Sequence, residues 1–313
     1  MSRTRLSTYT APPAEVARTL DALRAHYEVP TAFPPEALAE AEAAAGAWAQ
    51  DGPARLLADG ARDARDLELV TIDPPGSMDL DQAVLLERLP TQIHQADAAV
   101  GSAPEPAVTY RVHYAIASLA TFVTPGGALD AELRRRGETI YAPDAATPLH
   151  PEVLSHGAAS LLEDAERPAC LWTIDLDERG EVVSARVERA LVRSRARLSY
   201  AQVQAAIDGE STLPRQVPAD LPELLAEIGR LRLEREAARG GISMTTPEQV
   251  VEVTEAAQAA ETAQAAEPAE PAGDADSTEG PGPAGYRLAY RVPVPAEQYN
   301  AQISLLTGMC AAR

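Results

Sequence analysis

Three carboxylates within nine residues carry the clearest chemical signal in this chain, in the run Thr71-Ile72-Asp73-Pro74-Pro75-Gly76-Ser77-Met78-Asp79-Leu80-Asp81-Gln82-Ala83-Val84. Pro74-Pro75-Gly76 imposes a tight turn after Asp73, and Asp79 and Asp81 follow two apart before the chain becomes apolar again. If 79–81 is extended, both carboxylates face the same side, and the turn can fold Asp73 back beside them. Three carboxylates held that close resist full ionisation. A hard cation reverses that cost, and oxygen-only ligands suit Mg²⁺, which keeps its other positions for water and phosphate. The spacing lacks the opening pattern and closing Glu of a calcium-binding helix–loop–helix. Taken alone, the same residues also fit a solvated surface turn, since Asp and Pro are common turn formers.

Positioning these residues requires a strand that ends at Asp73 and another near Val84. Leu69–Ile72, Val84–Leu86 and Tyr110–Ile116 read as strands, and Cys170–Leu176 and Val182–Val187 flank a hairpin signal at Asp177-Glu178-Arg179-Gly180. Helices are expected over 128–136, 151–162, 199–208 and 221–239. Residues 1–66 read as a helical N-terminal region: Val16, Leu20 and Leu23 share one face, and Pro34-Pro35 precedes a strongly helix-forming run from Ala37 to Ala49. The fold class is α+β, with a mostly antiparallel sheet surrounded by helices.

Two segments break the pattern. Residues 89–108 hold Pro, Gln, Ala and Ser with little periodicity and read as a variable insertion. Residues 251–285 contain eight acidic residues and no basic one, so they bury too little apolar surface to offset their ordering entropy and are expected to be disordered. Beyond them, Tyr286–Val292 alternates like a strand and Asn300–Met309 reads as a buried helix. Only four residues follow that helix, so the expectation is a fold incomplete at the C-terminus.

Composition narrows the function classes. The 313 residues carry a net charge of −20, which argues against coating nucleic acid through bulk charge. A local basic groove remains open, because a contact feels the nearby field. No apolar run reaches the ~18–20 residues that span a bilayer, and no apolar stretch follows the N-terminal charges as a secretory signal requires. Cys170 and Cys310 are too few for a disulfide framework or a zinc ribbon, so the expectation is a cytoplasmic protein without a membrane partner. All 27 basic residues are Arg. Arg186, Arg189, Arg193, Arg195 and Arg197 recur at mostly even spacing, and on one strand they line either a phosphate track or a solvated face. Arg134-Arg135-Arg136 fits a helix end, where positive charge favours the dipole. The five histidines show no ligand spacing.

The carboxylate run resembles the signature of the ribonuclease II (RNB) family of processive 3′→5′ exoribonucleases. The resemblance continues in order through Ala115-Ile116-Ala117-Ser118, Phe122-Val123-Thr124-Pro125-Gly126, Arg135-Arg136-Gly137-Glu138-Thr139-Ile140-Tyr141-Ala142-Pro143-Asp144, Pro148-Leu149-His150-Pro151-Glu152-Val153-Leu154-Ser155 and Arg193-Ser194-Arg195-Ala196-Arg197-Leu198-Ser199-Tyr200. It covers a core at 67–250, interrupted by the 89–108 insertion, and a continuation at 286–313. The resemblance implies that Asp73, Asp79 and Asp81 sit around Mg²⁺ at the blind end of an RNA channel, and that single-stranded RNA is hydrolysed there to nucleoside 5′-monophosphates. Tyr141 corresponds to the tyrosine that stacks on the 3′-terminal base, a contact that accepts every base. Arg193, Arg195 and Arg197 would contact the RNA backbone.

The pattern departs from the family in three places. Gln82 stands where a fourth Asp is usual; its amide oxygen can still ligate Mg²⁺, without the charge. Ser118 replaces a common Asp. The family's continuation beyond the last helix, with an arginine that assists cleavage, has no counterpart here. The alternative class is therefore a catalytically impaired RNA-binding remnant or scaffold.

Overall fold

In the computed structural model, residues 5–6, 14–90, 107–242, 248–253 and 286–313 are described. Of the disorder expected over 251–285, residues 251–253 instead belong to a strand that pairs with Tyr286–Arg291; 254–285 and most of the insertion, 91–106, fall outside the described residues. In chain order the elements are β1 (Arg5–Leu6), α1 (Ala14–His26), α2 (Pro35–Ala58), β2 (Arg62–Asp63), β3 (Thr71–Asp73), β4 (Gln82–Arg88), β5 (Tyr110–Ala117), α3 (Ala128–Arg136), β6 (Ile140–Tyr141), β7 (Ala146–Thr147), β8 (Glu166–Leu176) and β9 (Val182–Arg193). They continue with β10 (Arg197–Ser199), α4 (Tyr200–Ile207), α5 (Leu221–Ala238), β11 (Glu248–Val253), β12 (Tyr286–Arg291) and α6 (Pro295–Ala311).

The described chain forms two units. The larger holds 35–131, 150–244 and 294–313. Its centre is a five-stranded sheet in the order β2-β9-β8-β5-β4, antiparallel except where the short β2 joins β9. Alternation along β5 decides its two faces. Tyr110, Val112 and Tyr114 point into a core with Val84, Leu86, Ile174 and Leu176, closed by Leu224, Leu225 and Ile228 of α5 and Ile303 and Leu306 of α6. On the other face Leu85, Ala115, Leu171 and Ala190 form a second core, and α2 packs over β8 and β9. Farther along that face the side chains turn polar. His113, only 4% exposed, lies between Thr173 Oγ1 at 3.2 Å and Glu87 at 3.1 Å. Burial pushes its pKa down and the Glu87 charge works against that shift; its place is structural.

The smaller unit holds 1–34, 132–149 and 245–293. There β11 pairs with β1 in parallel and with β12 antiparallel, and β6 and β7 form a two-stranded ribbon. Arg24 of α1 pairs with Asp144.

Several expectations need correction. The helical reading of 1–66 holds for α1 and α2 only: Arg5–Leu6 is the strand β1, and beyond Ala58 Arg62 and Asp63 are drawn into the sheet by Ala190 and Leu191 of β9. Leu23 on the expected apolar face of α1 is exposed. The helix expected over 151–162 reduces to a π-helical turn, Val153–Ala158; beyond it Leu161 donates to Leu80 O at 2.8 Å, so the chain leaves the helix to pair with the carboxylate loop. On α6, Ile303, Leu306 and Cys310 are buried in the first core, whereas Leu305 is exposed.

Gly229 of α5 sets how closely α6 approaches. A Cβ there would lie 2.5 Å from the Tyr299 Cβ, a distance that demands movement. Gly229→Ala is expected to cost about 1–3 kcal/mol through overpacking, read as a lower urea midpoint.

Candidate active site

The carboxylate loop is held by its own turn and by one serine. Ser77 donates to Pro74 O at 3.2 Å, and Gly76 sits at φ +83°. That is a type II turn, with Pro75 supplying the first central residue and Gly76 the left-handed second one. Downstream, the Ser160 hydroxyl, buried at 2% exposure, accepts from Leu80 N at 3.1 Å and donates to Met78 O at 2.6 Å. Ala117 N donates to Asp81 O at 2.9 Å. Leu80 is thereby locked inward at 0% exposure while Asp79 and Asp81 face solvent, the alternation an extended segment imposes. Ser160→Ala leaves the Leu80 amide without its acceptor, and is expected to cost about 1–3 kcal/mol, measured by urea unfolding.

Three further elements converge beside Asp73. β10 runs parallel to β3 with Ser199 opposite Asp73. Ser199 then caps α4: Gln202 N donates to Ser199 Oγ at 3.2 Å, and Ser199 N donates to Gln202 Oε1 at 2.8 Å. This fixes Tyr200 as the first residue of the helix. From α6, Asn300 Nδ2 donates to the Tyr200 hydroxyl at 3.4 Å.

Asp73, Gln82, Tyr114, Tyr200 and Asn300 line one small cavity, floored by Val70, Ile72, Ala83 and Val84. The Tyr114 phenol donates to Gln82 Oε1. Burial pushes the Tyr114 pKa up, the Ser304 hydroxyl of α6 works the other way, and the charges of Asp81 and Asp73 push it further up. The phenol therefore stays protonated, and both carboxylates are close enough for their fields to act on it.

The three aspartates do not form the single cluster expected. Among the described residues, no group of three His, Cys, Asp or Glu side chains gathers closely enough to hold a metal. Asp73 is half-buried on the cavity, whereas Asp79 and Asp81 lie on the solvent side of Leu80. The donors still fit Mg²⁺, an ion bound through one or two carboxylates that completes its shell with water and phosphate. Asp73 and Asp81 would hold it.

The arginine run does not share one strand face. β9 ends at Arg193, and Arg195 N donates to Leu69 O at 2.7 Å. The chain thereby passes to a separate two-stranded sheet, in which Arg197 pairs with Thr71. Arg186 and Arg189, three apart on β9, fall on opposite faces. Arg193 is half-buried, and Arg195 Nη2 is used on Arg65 O at 2.8 Å. Arg197 alone of the three expected RNA contacts reaches the carboxylate loop, with Nη1 at 3.3 Å from Ser77 O. Tyr141 is an exposed residue of β6 in the smaller unit.

Tyr114, Tyr200 and Asn300 escaped the sequence reading. The alternation Tyr110-Val112-Tyr114 could have placed Tyr114 on the inner face, and the Ser199–Gln202 capping pair could have placed Tyr200 at a helix start. No local signal marks Asn300, which meets Tyr200 across 100 residues of chain.

Comparison with known proteins bears on the family and the fold. The RNB domain family matches residues 61–273. Ribonuclease R of Acidithiobacillus ferrooxidans is 33% identical over 201 residues, covering 64% of this chain and 41% of that protein. Ribonuclease R of Escherichia coli is 32% identical over 192 residues, covering 60% of this chain and 22% of that protein. Among solved structures, Mycoplasma genitalium RNase R in complex with double-stranded RNA aligns with a TM-score of 0.60 at 22% identity, covering 78% of this chain and 36% of that one. At that identity the likeness establishes the fold. The chain spans less than half the length of these relatives.

Proposed function

The chain belongs to the RNB domain family, and on that premise we propose that it is a Mg²⁺-dependent 3′→5′ exoribonuclease that shortens single-stranded RNA to nucleoside 5′-monophosphates. One observation carries the reading: the family's signature run is folded so that Asp73 and Gln82 face one cavity, with the Asp81 charge acting on the same phenol. Asp73 and Asp81 hold the cation, and the exposed Asp79 adds its charge nearby. When bound there, Mg²⁺ supplies neutralisation of phosphate charge and a lowered pKa for water.

The chain's own groups supply the rest. The Tyr200 hydroxyl and the amides of Gln82 and Asn300 offer hydrogen bonds to the terminal phosphodiester. Arg197 adds a positive charge at the loop, where a phosphate enters. Tyr141 is assigned the stacking of the 3′-terminal base, and Arg193 and Arg195 lesser parts in backbone binding. Such an enzyme acts in the cytoplasm, where Cys170 and Cys310 remain thiols. Among the described residues no helix is long and apolar enough to cross a membrane.

The test uses the full chain with a 5′-labelled single-stranded RNA oligonucleotide and Mg²⁺. The expected result is a ladder shortening from the 3′ end, with release of nucleoside 5′-monophosphates. RNA that is bound yet never shortened overturns the nuclease reading in favour of an RNA-binding scaffold.

A further inference from the structure

Gln82 occupies a position where an acidic residue would be a cation ligand, and the structure gives its side chain a different constraint. Tyr114 stands on β5 opposite Val84 of β4, so Gln82, two residues before Val84, is its diagonal neighbour on the same sheet face. The Tyr114 hydroxyl donates to Gln82 Oε1. The Ser304 hydroxyl of α6 also hydrogen-bonds this phenol. Tyr114 is itself only 2% exposed and packed in the first core, so this donor has little freedom to turn away.

An amide whose oxygen accepts a phenol proton leaves its Nε2 as the unused end, and Nε2 can only donate. The cavity lining also needs such a donor. Its one charged residue is Asp73, and it holds no Arg. Donors for an anion entering it must come from the neutral side chains, and Asn300 already spends one N–H on Tyr200. An oxygen polarised toward a phenol is, moreover, a poorer cation ligand than the carboxylates of Asp73 and Asp81.

We infer that Tyr114 is a positioning residue that turns the Gln82 carboxamide so that its Nε2 binds a phosphate oxygen of the RNA 3′ end, and that position 82 is an anion contact and not a ligand of the cation. This rests on the RNA-directed reading above and revises the expectation that Gln82 coordinates Mg²⁺. It assigns the cation to Asp73 and Asp81 and the phosphate to Gln82.

The experiment measures two affinities on the full chain. Mn²⁺ alone is titrated by electron paramagnetic resonance. A 5′-fluorescein single-stranded RNA is titrated by anisotropy in EDTA, so that no cation contributes. Gln82→Ala is expected to leave Mn²⁺ affinity within twofold and to weaken RNA binding about tenfold, the loss of one hydrogen bond to a charged group. Gln82→Glu, of the same size, is expected to weaken RNA binding more and to strengthen Mn²⁺ binding. Tyr114→Phe is expected to weaken RNA binding several-fold in the wild-type background and not at all in Gln82→Ala. Thermal melts identify any variant that has lost its fold, in which case Gln82→Glu and Tyr114→Phe carry the decision.

A tenfold loss of Mn²⁺ affinity in Gln82→Ala, with RNA binding unchanged, overturns the inference and restores the ligand role. An undiminished effect of Tyr114→Phe in the Gln82→Ala background overturns the positioning role. If the affinities behave as expected but RNA is never shortened in Mg²⁺, the nuclease reading fails while this inference stands. A wild-type chain that binds no RNA overturns both.

Discussion

Asp73→Asn is expected to lower the rate of RNA shortening about a thousandfold and to leave the melting temperature nearly unchanged. The substitution keeps the size and one oxygen of the side chain but removes its charge. Asp73 is the carboxylate on the cavity, at the end of β3. Loss of its charge removes much of the grip on the cation, and the electrostatic help such an ion gives a phosphoryl transition state is several kcal/mol, or about a thousandfold in rate. Single-turnover rates with a 5′-labelled oligonucleotide at saturating Mg²⁺ measure the effect. Asp79→Asn is the internal contrast. Its carboxylate faces solvent away from the cavity lining, so its loss is expected to cost about tenfold, the scale of a screened charge. Equal losses at the two positions would contradict the assignment of the cation to Asp73 and Asp81.

Arg136→Met is expected to destabilise the smaller unit by about 3–5 kcal/mol, because it leaves Pro148 O and Ala32 O without their donor and weakens the pairing of Glu132, at ~1–3 kcal/mol for each partner lost. The Arg136 side chain is 1% exposed and its Nε lies 2.8 Å from Glu132 Oε1, itself on a side chain 4% exposed. The same guanidinium donates to Pro148 O at 3.0 Å and to Ala32 O at 2.7 Å, and lies 3.5 Å over the Phe33 ring. One side chain thus ties a helix end to two loops. Its neighbour Arg135 also pairs with Glu132, but its side chain is 55% exposed, and Arg135→Ala is expected to leave stability nearly unchanged because a solvated pair contributes little. Urea unfolding of the two variants separates these outcomes. The helix dipole invoked for the Arg134-Arg135-Arg136 run is therefore secondary at Arg136, where burial and hydrogen bonding dominate.

The comparison of sequence with structure turns on the range of the forces involved. Local chemistry wrote the elements around the site into the chain. Pro75-Gly76 dictates a type II turn, the alternation of β5 separates an apolar from a mixed face, and Ser199 with Gln202 starts α4. The order of the signature motifs sufficed to identify the family. Where a segment's fate depended on a distant partner, the reading failed. The π-helical turn at Val153–Ala158 is cut short by Leu80. Arg62 and Asp63 become a strand because β9 offers them an edge. The arginine run is split between two sheets because Leu69 captures Arg195.

The sequence by itself determined the identity of the acidic loop, the turn that bends it and the class of fold that carries it, since backbone preferences and side-chain alternation act over a few residues. Only the tertiary structure decided that Asp73, rather than all three aspartates together, meets Gln82, Tyr114, Tyr200 and Asn300 around a cavity. Those contacts join β3, β4, β5, α4 and α6, and no local preference encodes a meeting of side chains that packing alone brings within hydrogen-bonding distance.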